Sequence, residues 1–140
     1  MLYCILASPW IAFNQSYFKF VDVALSFSDA MKFCRADKGD LASTASEEEQ
    51  TFIFKTFLEG NPEAWEFNWL GLNDLRVEGV LEWSDGSPVT YARFAPDNPE
   101  TYVNNEHCFI MSKFHGNYAN KPCSWPQTFV CETNYNFMLT

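Results

Sequence analysis

The 140-residue chain is 47% hydrophobic and 18% aromatic, with fourteen Phe and five Trp, which suffices for one domain with a core built largely from rings and is too short for two. Eighteen acidic against nine basic residues leave a net charge of −9, a field that repels polyanions and argues against nucleic acid as a partner. No apolar run approaches the roughly 20 residues that cross a bilayer, so membrane insertion of this segment is not expected.

In chain order, Met1–Ala7 is apolar and closes on a small residue, but it has no basic start and is too short for a complete secretory signal. Residues 1–15 therefore read as an N-terminal segment, either a signal remnant or the beginning of a first strand. Asn14-Gln15-Ser16 is a glycosylation sequon. Ser16-Tyr17-Phe18-Lys19-Phe20-Val21 alternates and is aromatic-rich, which predicts a strand. Ser26-Phe27-Ser28-Asp29 offers side-chain oxygens for a helix cap; Ala30, Met31, Phe33 and Cys34 supply that helix's apolar face, and Gly39 is expected to end it. Ser46-Glu47-Glu48-Glu49 is a capping box with acids on the positive end of the dipole, opening a second helix through Phe52, Ile53 and Phe57 to Gly60.

Beyond Pro62 the character changes. Trp69-Leu70-Gly71-Leu72 and Leu81-Glu82-Trp83-Ser84 read as short strands, the second closed by the turn Asp85-Gly86-Ser87-Pro88. From Thr90 to Asn105 there is little periodicity, and a long irregular loop in a compact domain is usually functional. Strand character returns at Cys108-Phe109-Ile110-Met111 and Thr128-Phe129-Val130-Cys131. Helices followed by short strands, without β-α-β alternation, give the class α+β. Phosphate-loop and nucleophile-elbow motifs are absent from the sequence, and neither His107 nor His115 has catalytic partners in a recognisable motif, so an enzyme is not expected.

The five cysteines, Cys4, Cys34, Cys108, Cys123 and Cys131, have no C-x-x-C spacing, which speaks against a zinc or redox site. With the sequon and the acidic, aromatic-rich composition they point to a disulfide-permitting location: secreted, or the extracellular part of a membrane receptor. Their pairing does not follow from the sequence, since five cysteines with one left over allow many connectivities.

The order of these pieces resembles the C-type lectin-like domain. The residues that carry the likeness are Tyr17-Phe18-Lys19-Phe20, Cys34, Leu41-Ala42-Ser43, Trp69-Leu70-Gly71-Leu72, Trp83-Ser84-Asp85-Gly86-Ser87-Pro88, Glu106-His107-Cys108, Cys123, and Phe129-Val130-Cys131-Glu132. The match spans residues 16 to 132, and the expected domain is 16–133 with a tail at 134–140. The resemblance implies two helices, short antiparallel sheets and a long irregular loop, stapled by Cys34–Cys131 and Cys108–Cys123; the chain-entropy account gives these loops roughly 4.7 and 3 kcal/mol. Ser16 stands where many members have a further cysteine, which leaves Cys4 unpaired or intermolecular. The Trp83–Pro88 turn also resembles domains of the multi-lectin endocytic receptors, so the chain reads as one unit of a larger protein.

In sugar-binding members a cis-proline flanked by a carboxylate and an amide holds Ca²⁺, completed by a glutamate before the third framework cysteine and an Asn-Asp pair before the fourth. Here those positions are Asn98-Pro99-Glu100, Glu106 and Ala119-Asn120. Ala119 supplies no ligand and Asn120 brings an amide where a charge belongs, so the resemblance implies a Ca²⁺ site that is weak or absent, because affinity falls with ligand count and charge. The accessory calcium site maps onto Asp74, Glu78 and Glu106, with Thr101 and His107 in place of its other acids; the plainer reading makes Asp74 and Glu78 solvated turn residues. The triplet order follows galactose-type members, and Tyr102 lies where they place an aromatic ring on the sugar, although an ordinary loop aromatic fits as well. Trp69, Trp83, Phe94 and Phe129 match framework positions and are assigned to the core; Trp125 is a candidate for an exposed protein interface. Two ligand classes follow for residues 96–120: a glycan bound through Asn98, Glu100, Tyr102, Glu106 and Asn120 with Ca²⁺, or a protein bound without metal.

Overall fold

The computed structural model describes residues 10–99 and 105–134. Met1–Ala7 with Cys4, the candidate site residues Glu100 and Tyr102, and residues 135–140 lie outside them. A hairpin opens the described chain: β1 (Ile11–Phe13) pairs with β2 (Ser16–Leu25) across Asn14-Gln15. Both turn residues take the left-handed conformation, φ 51° and 68°, which matches the twist of the flanking strands. The sequence alternation marked only the first six residues of β2.

Helix α1 (Phe27–Ala36) starts where the cap chemistry placed it, with Ser26 Oγ accepting from the Asp29 N–H at 3.2 Å. It buries Phe27, Ala30 and Cys34. Its exit differs from expectation. Lys38, not Gly39, takes the left-handed turn, with φ 68°. Gly39 is required for closeness, because a Cβ there would fall 2.4 Å from the Glu132 carbonyl oxygen. After the two-residue strand β3 (Asp40–Leu41), α2 (Glu47–Ile53) continues into a wider π turn over Phe54–Leu58 and stops before Gly60, φ 74°. The predicted cap is in place: Ser46 Oγ accepts from Glu49 N, and Glu49 Oε1 takes the Ala45 N–H at 2.8 Å.

The remaining strands are β4 (Phe67–Asn73), β5 (Glu82–Trp83), β6 (Cys108–Ser112), β7 (Tyr118–Lys121) and β8 (Gln127–Thr133). Among the described residues they form one sheet in the order β1-β2-β8-β4-β6-β7, with β3 on β8 and β5 on β4. Pairing is antiparallel throughout except for β4 beside β8, where Trp69 faces Phe129. The central strands β4, β6 and β8 are almost wholly buried, as expected of strands covered on both faces.

One core gathers Phe18, Ile53, Leu58, Leu70, Leu72, Trp83, Phe109 and Tyr118. The other gathers Phe27, Ala30, Leu41, Trp69, Ile110 and Phe129 around the sulfurs. Trp69, Trp83 and Phe129 are buried as assigned, and Phe94 packs half-buried against the first core. Trp69 sets its ring edge-on to Phe27 and donates Nε1–H to the Leu25 carbonyl at 2.9 Å, satisfying the one polar atom of the indole. Both implied disulfides are present, Cys34–Cys131 and Cys108–Cys123, with Cα separations of 5.5 and 5.2 Å. The first ties α1 to β8; the second ties the start of β6 to the segment after β7.

Candidate functional site

The irregular segment after the Trp83–Pro88 turn is fastened along β7 by its own main chain. The Tyr118 N–H donates to the Arg93 carbonyl at 2.7 Å, and the Ala95 N–H to the Tyr118 carbonyl at 2.9 Å. Phe94, between them, packs its ring against Phe109 and Tyr118, with centroids 5.8 and 6.3 Å away. Tyr118 is buried and shares a 2.5 Å hydrogen bond with Thr44; burial raises its phenol well above the ordinary range. That ring anchors the segment to the core. The zipper was not legible in the residues, because main-chain donors carry no residue signature.

Next along the chain, Asn98 donates its N–H to Ala95 at 3.0 Å, Asp97 turns left-handed, φ 64°, and the Asn98–Pro99 peptide is cis. This brings three of the predicted site residues together. The Asn120 N–H donates to Asn98 Oδ1 at 3.3 Å, and Asn120 Nδ2 donates to the Glu106 main-chain carbonyl at 3.0 Å. Asn120 is 4% exposed, so its amide locks the fold while it borders the site. The Asn98 amide nitrogen donates to the Pro96 carbonyl at 3.2 Å.

A hard cation such as Ca²⁺ takes six to eight oxygens and relies on carboxylates. Of the predicted ligand positions that are described, one, Glu106, carries a carboxylate, Asn98 and Asn120 carry amides, and Ala119 adds nothing. Among the described residues no group of three acidic, His or Cys side chains is arranged to hold a metal. By themselves these donors do not fit a strong calcium centre.

The accessory positions have a different arrangement. Asp74 Oδ1 lies 3.0 Å from His107 Nδ1, and Asp74 Oδ2 accepts the Gly79 N–H at 2.9 Å. The Asp74 N–H also donates to the His107 carbonyl at 2.9 Å. Both carboxylate oxygens are therefore met by protein donors when the ring presents Nδ1–H. His107 stands where the resemblance has an acid, and Asp74 is a partly buried clasp rather than a solvated turn residue. Glu78 is exposed on the same turn. The structure does not bring Glu78 to Asp74 through any hydrogen bond. Trp65 and Trp125 are 48% and 44% exposed, and the β4–β8 register places both just before the paired residues Asn68 and Thr128.

With this geometry in view, the comparisons with known proteins are specific. The family described as "Lectin C-type domain" matches residues 23–133. Echinoidin of Heliocidaris crassispina is 32% identical over 131 residues, 82% of this chain and 86% of that protein. C-type mannose receptor 2 of Mus musculus is 24% identical over 123 residues, 88% of this chain but 8% of the receptor, so the chain spans a small part of that relative. Among solved structures, the cow carbohydrate-recognition domain of CD23, in the presence of a GlcNAc2Man3 oligosaccharide, superposes with a TM-score of 0.77 at 31% identity, covering 88% of this chain and 91% of that one. A calcium-independent type II antifreeze protein superposes with a TM-score of 0.79 at 26% identity, covering 89% and 90%. Two disulfides at the framework positions, a cis-proline loop zipped onto β7 and a family match across most of the chain converge: this protein belongs to the C-type lectin family.

Proposed function

We propose that the chain is a non-enzymatic, extracellular recognition module, residues 16–133, that binds a glycan through the surface formed by residues 96–120, with little help from calcium. The observation that carries this reading is the convergence of Asn98, Glu106 and Asn120 through direct hydrogen bonds beside the cis peptide. It sets side-chain amides, of the kind that orient sugar hydroxyls, beside the cis-proline turn. The carbohydrate-recognition domain of cow CD23, 31% identical, supports the ligand class. The triplet order Asn98-Pro99-Glu100 favours galactose-type sugars, with Tyr102 against the sugar ring. Asn14, exposed at the tip of the first hairpin, is proposed to carry an N-linked glycan, and the two disulfides support a secreted or receptor-ectodomain setting.

A second reading, metal-independent binding of a protein, draws on the Asp74–His107 clasp and Ala119, which leave few anionic ligands, and on the likeness to a calcium-independent relative. Calcium titration followed by thermal unfolding, with galactose- and mannose-bead retention, separates the two. The glycan reading expects retention on galactose beads, at least tenfold weaker in Asn98→Ala and Glu106→Ala, and a small rise in midpoint with millimolar Ca²⁺, since a ligand bound only to the native state must raise it. No retention on either bead, with an unmoved midpoint, sinks it in favour of protein recognition.

A further inference from the structure

At one edge of the sheet, the β1–β2 hairpin turns on two residues that both lie in the left-handed region, Asn14 at φ 51° and Gln15 at φ 68°. Asparagine tolerates that conformation; glutamine holds it at a cost, because its Cβ crowds the neighbouring carbonyl. Ile11 and Ala12 of β1 are exposed, so the half-buried Phe13 ring, stacked parallel on Phe52 of α2 with centroids 4.3 Å apart, is the strand's side-chain tie to the core. Phe52 covers one face of that ring. Phe13 pairs directly with Ser16 across the turn, so the two side chains share one face of the hairpin. A cleft of about 550 Å³ lined by Phe13, Asn14, Ser16, Tyr17 and Asn134 opens at the tip, within the range that encloses a small ligand, roughly 300–1,000 Å³. Asn14 belongs to the chain's single N-x-[ST] sequon. Its side chain is exposed and has no hydrogen bond among the described residues, so a substituent there displaces nothing that holds the fold.

We propose that the N-linked glycan of Asn14, whose presence rests on the reading above, acts as an intramolecular ligand: its first N-acetylhexosamine lies in this cleft with its C–H face on Phe13 and pins the hairpin to the sheet edge. Attachment joins Asn14 Nδ2 to C1 of the sugar. The amide gives up one proton, and the C1–O bond to the diphosphate of an activated oligosaccharide donor breaks, the electron pair leaving on that diphosphate. The Phe13 ring suits the sugar because an aromatic face is electron-rich and attracts the weakly positive C–H groups of a pyranose. Phe52 fixes the plane of that ring beforehand, so little freedom is lost when the sugar settles on it. The contact also offsets the cost of the left-handed Gln15, which no glycine relieves in this turn.

The test uses the chain secreted from a glycosylating host and trimmed to one N-acetylglucosamine on Asn14, beside the same chain made without sugar and refolded with both disulfides. NMR of the trimmed protein should show nuclear Overhauser contacts between the sugar's ring protons and Phe13, with those protons shifted upfield by the ring current. The amides of residues 11–18 should exchange about three- to tenfold more slowly with the sugar than without it. In Phe13→Leu, which keeps an apolar side chain but offers no ring, the two forms should exchange equally. A modified Asn14 whose sugar makes no contact with Phe13, or leaves exchange unchanged, overturns this inference alone. An Asn14 found unmodified by peptide mass spectrometry removes the modification itself, and this inference with it. If Phe13→Leu fails to fold, the contacts and the exchange ratio of the wild type decide.

Discussion

The two ends of the sheet treat polar groups differently. Around β2, β3 and β8, the Cys34–Cys131 bridge adjoins a half-buried carboxyl, Glu132, which meets the N–H and hydroxyl of Ser43 from far along the chain. Around β6 and β7, the Cys108–Cys123 bridge borders a segment where the described amides bond to main chain, Asn98 to Pro96 and, from β7, Asn120 to Glu106. The first arrangement couples protonation to the framework. The second asks less of the half-buried Asn98 side chain, while the more deeply buried Asn120 amide belongs to the framework, and exposed loop positions are those at which a ligand surface can vary without loss of the fold.

Removing the longer bridge is expected to have the largest effect on this contrast. Replacing Cys34 and Cys131 together by Ala frees a 96-residue loop in the unfolded chain and should cost about 4 kcal/mol, read by urea unfolding. If the same replacement at Cys108 and Cys123 costs as much, the two ends are not different in the way described.

The next effect is in pH. The Glu132 carboxyl has a folded-state pKa of about 7 against an ordinary value of 4.5. Between these values the native state holds a proton that the unfolded chain has lost, so its contribution to stability falls as pH rises from 4.5 to 7 and is fully lost above 7. The full difference corresponds to about 3 kcal/mol, reduced to about 2 by the residual solvent contact of the group. Wild type minus Glu132→Gln, by denaturant melts at pH 5 and pH 8, isolates this quantity; equal differences at both pH values would remove the coupling.

The smallest effect on stability belongs to the loop. Asn98→Ala loses one hydrogen bond from Asn120 and one to Pro96, both partly solvated, and should cost no more than about 1 kcal/mol while weakening glycan retention at least about tenfold. A larger loss would place Asn98 with the framework rather than with the ligand surface.

How far the residues themselves foretold this arrangement depended on distance along the chain. The α2 cap was legible because Ser46 and Glu49 are three apart and the rule is local. The core tryptophan Trp69 and both disulfides were placed by family resemblance, through motifs that each fit within a few residues. The two-residue strand β3 was missed, and so was β7: Tyr-Ala-Asn-Lys has no alternation of its own and becomes a strand because β6 pairs with it. The exit of α1 was misread because Gly usually takes the left-handed position; Lys38 takes it instead, and Gly39 is kept small by the Glu132 carbonyl, 93 residues later.

Composition, caps and motif order determined that this is an α+β, disulfide-held member of a recognition family, because those signals come from near neighbours and from cysteine and turn chemistry. Only the tertiary structure decided that His107 meets Asp74 and that one serine hydroxyl stands between two carboxyl groups. Hydrogen bonds depend on atoms coming within about 3 Å, and residues 33, 42 and 89 positions apart reach that distance only once the sheet has closed.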